Sequence, residues 1–379
     1  MDEVLAASGF RSQFNETTVE ITVPSGSSTI PPQKFSVPGL LYQQLTLVIQ
    51  DAFHDPLSHL LHYSPFKLFH NAKNGKSNPE RVYGELFTSD AFLSEFKDIQ
   101  LHGKLPLDNL YYKQERIIAA LMFASDATHL ADFGNAKVWP IYMMLGNLSK
   151  YVQCQPNSGA MHHLAYIPTL PNSFQQFASS FHPSWQSQKP DIMAHCQCEL
   201  LHAVWSTLLN DDFICAYQYG IVIKCIDGVE WRVYPCIFTY SADYPKKALL
   251  ATIHDKGLFP CPWCLVPKHE LQNLGLHQDG VWLYLADKVS SAHWAIYNLG
   301  LSIQSPGVEG LLQKFSGVPT TNAFANWLGE GFNPSSMLTV DLLHEIELGT
   351  WKSLFTHLVQ ILYSMSSNHN HLVSQLDEQ

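Results

Sequence analysis

The chain has 379 residues, 46% of them hydrophobic and 12% aromatic, which excludes intrinsic disorder and a disulfide-stapled miniprotein. Its 22 Lys and Arg against 33 Asp and Glu leave a formal charge of −11, so a general nucleic-acid coat is excluded and any DNA contact must be local. Eight cysteines behind an acidic N-terminus with no apolar h-region point to a reducing intracellular compartment, and no run approaches the ~18 consecutive apolar residues of a membrane span.

At about 100–200 residues per domain, the length allows two or three units or one elaborated α/β domain. Residues 1–42 carry TTVEITVPSGSSTIPPQKFSVPG and read from their Ser, Pro and Gly content as a flexible leader. Residues 43–115 read as a helical and irregular region, opened by helical spacing of Leu45, Val48, Ile49, Ala52 and Phe53. From Arg116 an apolar run leads into Ser125-Asp126, a buried strand ending in a carboxylate. VWPIYMMLGN and HHLAYIPTL follow as two further strands of an antiparallel meander. Residues 190–209 repeat apolar positions around one helical face, and IVIKCI, a turn at Asp227-Gly228 and WRVYPCIFTYSAD make a hairpin whose second arm ends in Asp243. Pro245 begins a helix expected to stop at Gly257, followed by the knuckle Cys261-Pro262-Trp263-Cys264. Residues 116–264 thus form the core, 265–336 a Gly-, Asn- and Ser-punctuated insertion, and 337–379 a C-terminal helical segment with a break expected at Gly349.

Asp126 and Asp243, each at a strand end with a meander and a helix between them, follow the ribonuclease H-like order of elements: a mixed sheet flanked by helices, with a mainly helical and irregular insertion. Converging carboxylates offer hard oxygen ligands that select Mg²⁺ or Mn²⁺, and a pair of such ions serves both the attacking and the leaving oxygen of a phosphodiester displacement. A third carboxylate is then expected. Against this, an Asp after a strand is most often a turn or helix-cap residue, and Thr128, His129 and Asp132 nearby read as loop residues. The Cys261/Cys264 pair is half of a tetrahedral zinc site, with His254, His269 or His344 as candidate partners; a metal-free turn and a redox pair stay open. Asp341 and His344 share one helix face, where they can share a hydrogen bond or a metal, or simply start a helix with Asp341 as N-cap. His162-His163 and Cys196-x-Cys198 read as packing residues.

In order and spacing, the blocks FTSDAFL, AALMFASDATHLADFG, VWPIYMMLGNLSKY, HLAYIP, ELLHAVWSTLLNDDF, FTYSADYPKKALLATIHDKGLFPCPWCL and DLLHEIELGTWKSLFTHLVQIL resemble the Plavaka-type transposases of fungal mobile elements, relatives of the CACTA group, from about residue 63 onward. The resemblance implies a ribonuclease H-like DDE/D transposase core that cleaves and joins DNA with Mg²⁺ or Mn²⁺, acting in the nucleus on transposon ends and target DNA, with no membrane role and with homo-oligomers allowed. Asp126 in SDATHL resembles the first catalytic acid and Asp243 in YSADYP the second; Cys261 and Cys264 match the family's C-x-x-C block, a structural zinc candidate with His344, and Asp341 with His344 matches its D-x-x-H block. In related transposases the third acid lies on a helix beyond an inserted helical region, and this sequence stops near that point; Glu345 and Glu347 are the substitutes at hand, with Glu347 preferred. Lys246, Lys247, Lys256 and Lys268 form the best local candidate for a DNA-facing patch, or else a solvated helix face. The rivals are a non-catalytic, transposon-derived interaction module and a zinc-stabilised binding domain without transposon ancestry, which would hold Asp126 and Asp243 far apart.

Overall fold

The computed structural model describes residues 14–71, 78–106, 114–129, 137–226, 228–275, 284–329, 331–365 and 373–375. Asp132 and Asp227 lie outside the described residues. The strands of the main sheet are, in chain order, β1 (Asn15–Val23), β2 (Gln33–Tyr42), β3 (Arg116–Ser125), β4 (Pro140–Leu145), β5 (Met161–Tyr166), β6 (Ile221–Lys224), β7 (Glu230–Ser241) and β8 (Leu338–Thr339). Across the sheet they run β1-β2-β5-β4-β3-β7-β6, with β8 beside the end of β7. The β3–β7 and β7–β8 pairs are parallel and the other pairs antiparallel.

Strand β3 is apolar from Ile117 to Ala124 because both of its faces are covered. Helix α1 (Leu45–His54) buries Val48, Ile49 and Phe53 in the main core. Ile117, Ala119, Leu121 and Phe123 join that core beneath helix α3 (Trp185–Leu208), which buries Ile192, Cys196, Leu200, Leu201, Val204 and Trp205 on the same cluster. Trp205 meets Phe123 edge-on at 5.1 Å. The alternate residues Ile118 and Ala120 pack with Tyr234 and Cys236 of β7 beneath helix α2 (Asp90–His102), whose Phe92 and Ile99 are buried there. The meander is closed by Asn147, a fully buried side chain just past β4. Its Oδ1 accepts the Ala120 N–H at 2.8 Å, and its Nδ2 donates to the Ile118 carbonyl at 2.8 Å and the His62 carbonyl at 3.0 Å. An amide side chain therefore does the work of a further ladder residue on β3.

The segment read as a flexible leader differs from expectation. Residues 15–42 form the β1–β2 hairpin, with Val19, Ile21, Val23, Val37 and Leu40 in the main core and Leu41 and Tyr42 paired with Tyr166 and Ala165 of β5. The Ser, Pro and Gly that dominate the composition sit in the connection between two strands, and the period-2 alternation of Val19, Ile21 and Val23 was the signal to weigh.

Helix α4 (Tyr244–Ala251) ends earlier than Gly257, because Thr252 turns left-handed at φ 54° and caps with its N–H on the Ala248 and Leu249 carbonyls. In the 265–336 region, helices α5 (Ala286–Tyr297) and α6 (Pro306–Leu312) share a small core of their own, whereas Phe324 of α7 (Ala323–Leu328) is buried against Trp205 in the main one. At the C-terminal end a wide π-helical stretch, Leu342–Trp351, leads into α8 (Lys352–Met365). Gly349 does not break the helix; it lies in the π stretch, where a Cβ would stand 2.8 Å from the His344 carbonyl oxygen.

Candidate active site

Three aspartates leave the sheet from one rung. Ser241 on β7 is the register partner of Ala124 on β3 and also of Thr339 on β8, all three strands running the same way. Asp126, Asp243 and Asp341 each stand two residues beyond that rung. Neighbouring strands lie about 4.8 Å apart, so the three acids emerge side by side at the same sheet edge, Asp243 in the middle. The alignment depends on a bulge. Ile237 pairs with Leu121 but Thr239 pairs with Met122, leaving Phe238 as an extra residue in β7. The Tyr240 hydroxyl donates to Ser125 Oγ at 3.1 Å and ties the two strand ends together.

Each acid has a distinct environment. Asp126 is exposed; with burial, its charge pushes the phenol of Tyr142 on β4 up from its ordinary value. Asp243 caps α4, its Oδ1 accepting the Lys246 N–H at 3.0 Å and its Oδ2 the Lys246 ammonium at 2.7 Å. Asp341 caps the π stretch in the same manner, accepting the His344 N–H at 3.1 Å, with its Oδ2 2.7 Å from His344 Nδ1. Burial alone would raise the Asp341 carboxyl, but the hydrogen bonds from the His344 backbone and ring hold it below its ordinary value. His344 is raised, first by its hydrogen bond to Asp341 and, against partial desolvation, by the charges of Asp341, Asp126 and Asp243. One imidazole thus senses all three carboxylates.

Glu347, the residue preferred from sequence as third acid, is exposed on the π stretch, six residues beyond Asp341. Asp341, two residues past the rung, is the acid that the topology brings beside Asp126 and Asp243. Glu345 instead pairs with Lys247, which is completely buried and so no part of a DNA-facing surface. Of the other three lysines, Lys256 and Lys268 are exposed, and Lys246 is held on Asp243 above the Trp139 ring. The cysteine knuckle packs close by. Trp263 Nε1 donates to the Leu338 carbonyl at 2.8 Å, the Trp263 N–H reaches Cys261 Sγ at 3.4 Å, and Cys261 shares an open groove with Tyr244, His344 and Glu345. His269 lies 3.5 Å from Glu270, and His254 is exposed. Cys196 and Cys198 are buried on α3, while His162 and His163 lie half-buried on β5.

Among the described residues no three His, Cys, Asp or Glu side chains are gathered closely enough to hold an ion as they stand. The donor chemistry of the rung nevertheless suits a hard divalent cation: three carboxylates, of which Asp126 is open to solvent while Asp243 and Asp341 are turned onto their own helix starts. At the knuckle two thiols are present and, among the described residues, no third and fourth ligand stand beside them, so it matches half of a zinc site.

The family model for Plavaka transposase matches residues 3–361, nearly the whole chain. The chain belongs to the Plavaka transposase family. No curated protein matches it. Membership of a transposase family makes a transposase-derived function and interaction with DNA the frame for the site. In this Plavaka transposase family member the match includes the β1–β2 hairpin, which the block resemblance left out. Among the described residues no helix is long and apolar enough to cross a membrane. Asp341 and His344 are legible as a pair from their spacing, whereas Leu338-Thr339 ahead of them is a strand of two residues, too short to carry a readable alternation.

Proposed function

We propose that this chain is a ribonuclease H-like DNA strand-cleavage and strand-transfer domain in which Asp126, Asp243 and Asp341 hold Mg²⁺ or Mn²⁺, acting in the nucleus on element ends and target DNA. The single observation behind this is the common rung, Ala124–Ser241–Thr339, with an aspartate two residues past each member. The sheet supports the fold reading: an antiparallel meander with β3 innermost, a long helix, then β7 and β8 added in parallel on the far side of β3.

A bound divalent ion would activate the attacking oxygen and stabilise the leaving oxygen of the phosphodiester. The protein's own part is positional. Asp126 and Asp341 flank Asp243, His344 holds a proton against Asp341 and fixes the direction of that carboxylate, and Lys246 neutralises Asp243. Lys256 and Lys268, exposed on the segment that follows the second acid in sequence, would meet DNA phosphates. The knuckle, through Trp263, braces the strand that leads into Asp341.

The test is Mn²⁺-dependent nicking of duplex DNA carrying the element's terminal repeats. Cleavage by the wild-type chain that survives Asp126→Ala and Asp243→Ala would remove both residues from the mechanism. A second reading, a non-catalytic transposon-derived interaction module, is favoured by one observation: Asp243 and Asp341 already serve as helix caps. It predicts DNA binding without metal-dependent nicking.

A further inference from the structure

Lys247 lies on α4, four residues past Asp243, and its side chain is 0% exposed. A buried ammonium is costly unless it is paired and fully hydrogen-bonded. Lys247 forms an ion pair with Glu345, donates to the Thr339 carbonyl at 3.0 Å and stands 4.6 Å from the centre of the Trp263 ring. Two of these partners bracket the D-x-x-H turn, Thr339 two residues before Asp341 and Glu345 one residue after His344. Trp263 in turn donates to the neighbouring Leu338 carbonyl. Strand β8 has only two register pairs with β7, too few to set the direction of the chain that leaves it.

From this arrangement we propose that Lys247 is a positioning residue: its ammonium clamps both ends of the Asp341–His344 turn to the helix capped by Asp243 and so fixes the third carboxylate against the other two. The inference rests on the reading of the three aspartates as metal ligands. Methionine would fill the same space without the cost of burying a charge, so what the charge adds is direction, and it is directed at the two flanks of one turn. The residue acts through Asp341 and touches neither metal nor DNA.

The experiment measures Mn²⁺ binding to the full chain by electron paramagnetic resonance, with no dependence on turnover. Wild type is compared with D126N, D243N, K247M, E345Q, the K247M/E345Q double variant, and L250A, a core truncation on the same helix that loosens packing without touching the clamp. We expect D126N and D243N to lose Mn²⁺ binding. K247M and E345Q should weaken it at least tenfold, the double variant no further than the worse single one, and L250A should lower the melting temperature while leaving Mn²⁺ affinity within about twofold. Glu345 is partly exposed, so E345Q carries the comparison if K247M does not fold. Mn²⁺ binding lost in D126N and D243N but unchanged in K247M and E345Q overturns the clamp alone. Binding that D126N and D243N leave intact overturns the metal-ligand reading and the clamp with it.

Discussion

Ser241 and Thr339 are register partners on parallel strands, and the same Ser241 faces Ala124 on its other side. That one residue links three chain segments that together span more than two hundred positions, and an aspartate stands two residues after each rung member. Identical offsets on parallel neighbours place like side chains at one height and on one side of the pleat.

The rung distinguishes Asp341 from Glu347. In the Mn²⁺-dependent nicking assay, Asp341→Asn is expected to lower the rate by on the order of a hundredfold or more, as loss of a charged ligand does at a metal-assisted site, whereas Glu347→Gln should stay within about threefold of wild type. A severe loss in Glu347→Gln with Asp341→Asn unaffected would move the third acid to the π stretch.

His202 on α3 predicts an acid-side loss of stability. Its Nδ1 accepts the Ala323 N–H at 3.1 Å, so its proton is on Nε2 and is donated to the Leu249 carbonyl at 3.0 Å. Burial pushes this imidazole down to about 4, and His195 nearby to about 3. A depressed histidine contributes stability that is full above its unfolded value near 6.5 and is lost as pH falls, because the unfolded chain takes up a proton that the native state refuses. For His202 the loss between pH 6.5 and 4 is on the order of 3 kcal/mol. Urea midpoints measured across that range should fall steeply in wild type and less steeply in His202→Gln.

Glu199 on the same helix has the opposite sign. Burial raises its carboxyl to about 7, and its Oε1 has no hydrogen-bond partner. The native state then holds a proton that the unfolded chain releases, so the contribution of Glu199 declines as pH rises from about 4.5 to 7 and is level above that, on the order of 3 kcal/mol at most and opposed to the histidine contributions over the same range. Glu199→Gln should raise the midpoint at pH 8 and, with the opposing carboxyl gone, steepen the histidine-driven fall toward acid; an unchanged profile would mean that the carboxylate is solvated.

Asn147 stands in for a strand residue, and its removal leaves a buried N–H and a buried C=O of β3 without partners. Asn147→Ala is expected to cost about 2–4 kcal/mol, and Asn147→Asp nearly as much, because a carboxylate cannot donate to the Ile118 carbonyl. Chemical denaturation at fixed pH measures both. A loss under about 0.5 kcal/mol would show that water replaces the amide.

Much of the centre of this fold was legible from residue order. The run Ile117–Ala124 is apolar on both faces because helices cover both, the meander and α3 follow in the expected sequence, and Asp126 and Asp243 follow the ends of adjacent strands. What escaped reading had short or mixed signals. Lys247 looks like any helix-surface lysine beside Lys246, and only the tertiary partners Thr339, Glu345 and Trp263 make it a core residue. Residues 15–42 hid two strands behind the composition of their turn. The knuckle's chemistry was ambiguous from its spacing and keeps two thiols without a gathered third ligand among the described residues.

The extra residue Phe238 has a last consequence. Had the ladder run on evenly from the Ile237–Leu121 pair, Tyr240 would have met Ala124, and Asp243 would have emerged one step late with its side chain turned to the other face. One insertion or deletion between Ile237 and Ser241 therefore spares nearly every backbone hydrogen bond while dispersing the charges that the sheet edge collects. On the reading of the three aspartates as metal ligands, such a lesion keeps the sheet and empties its edge of the site.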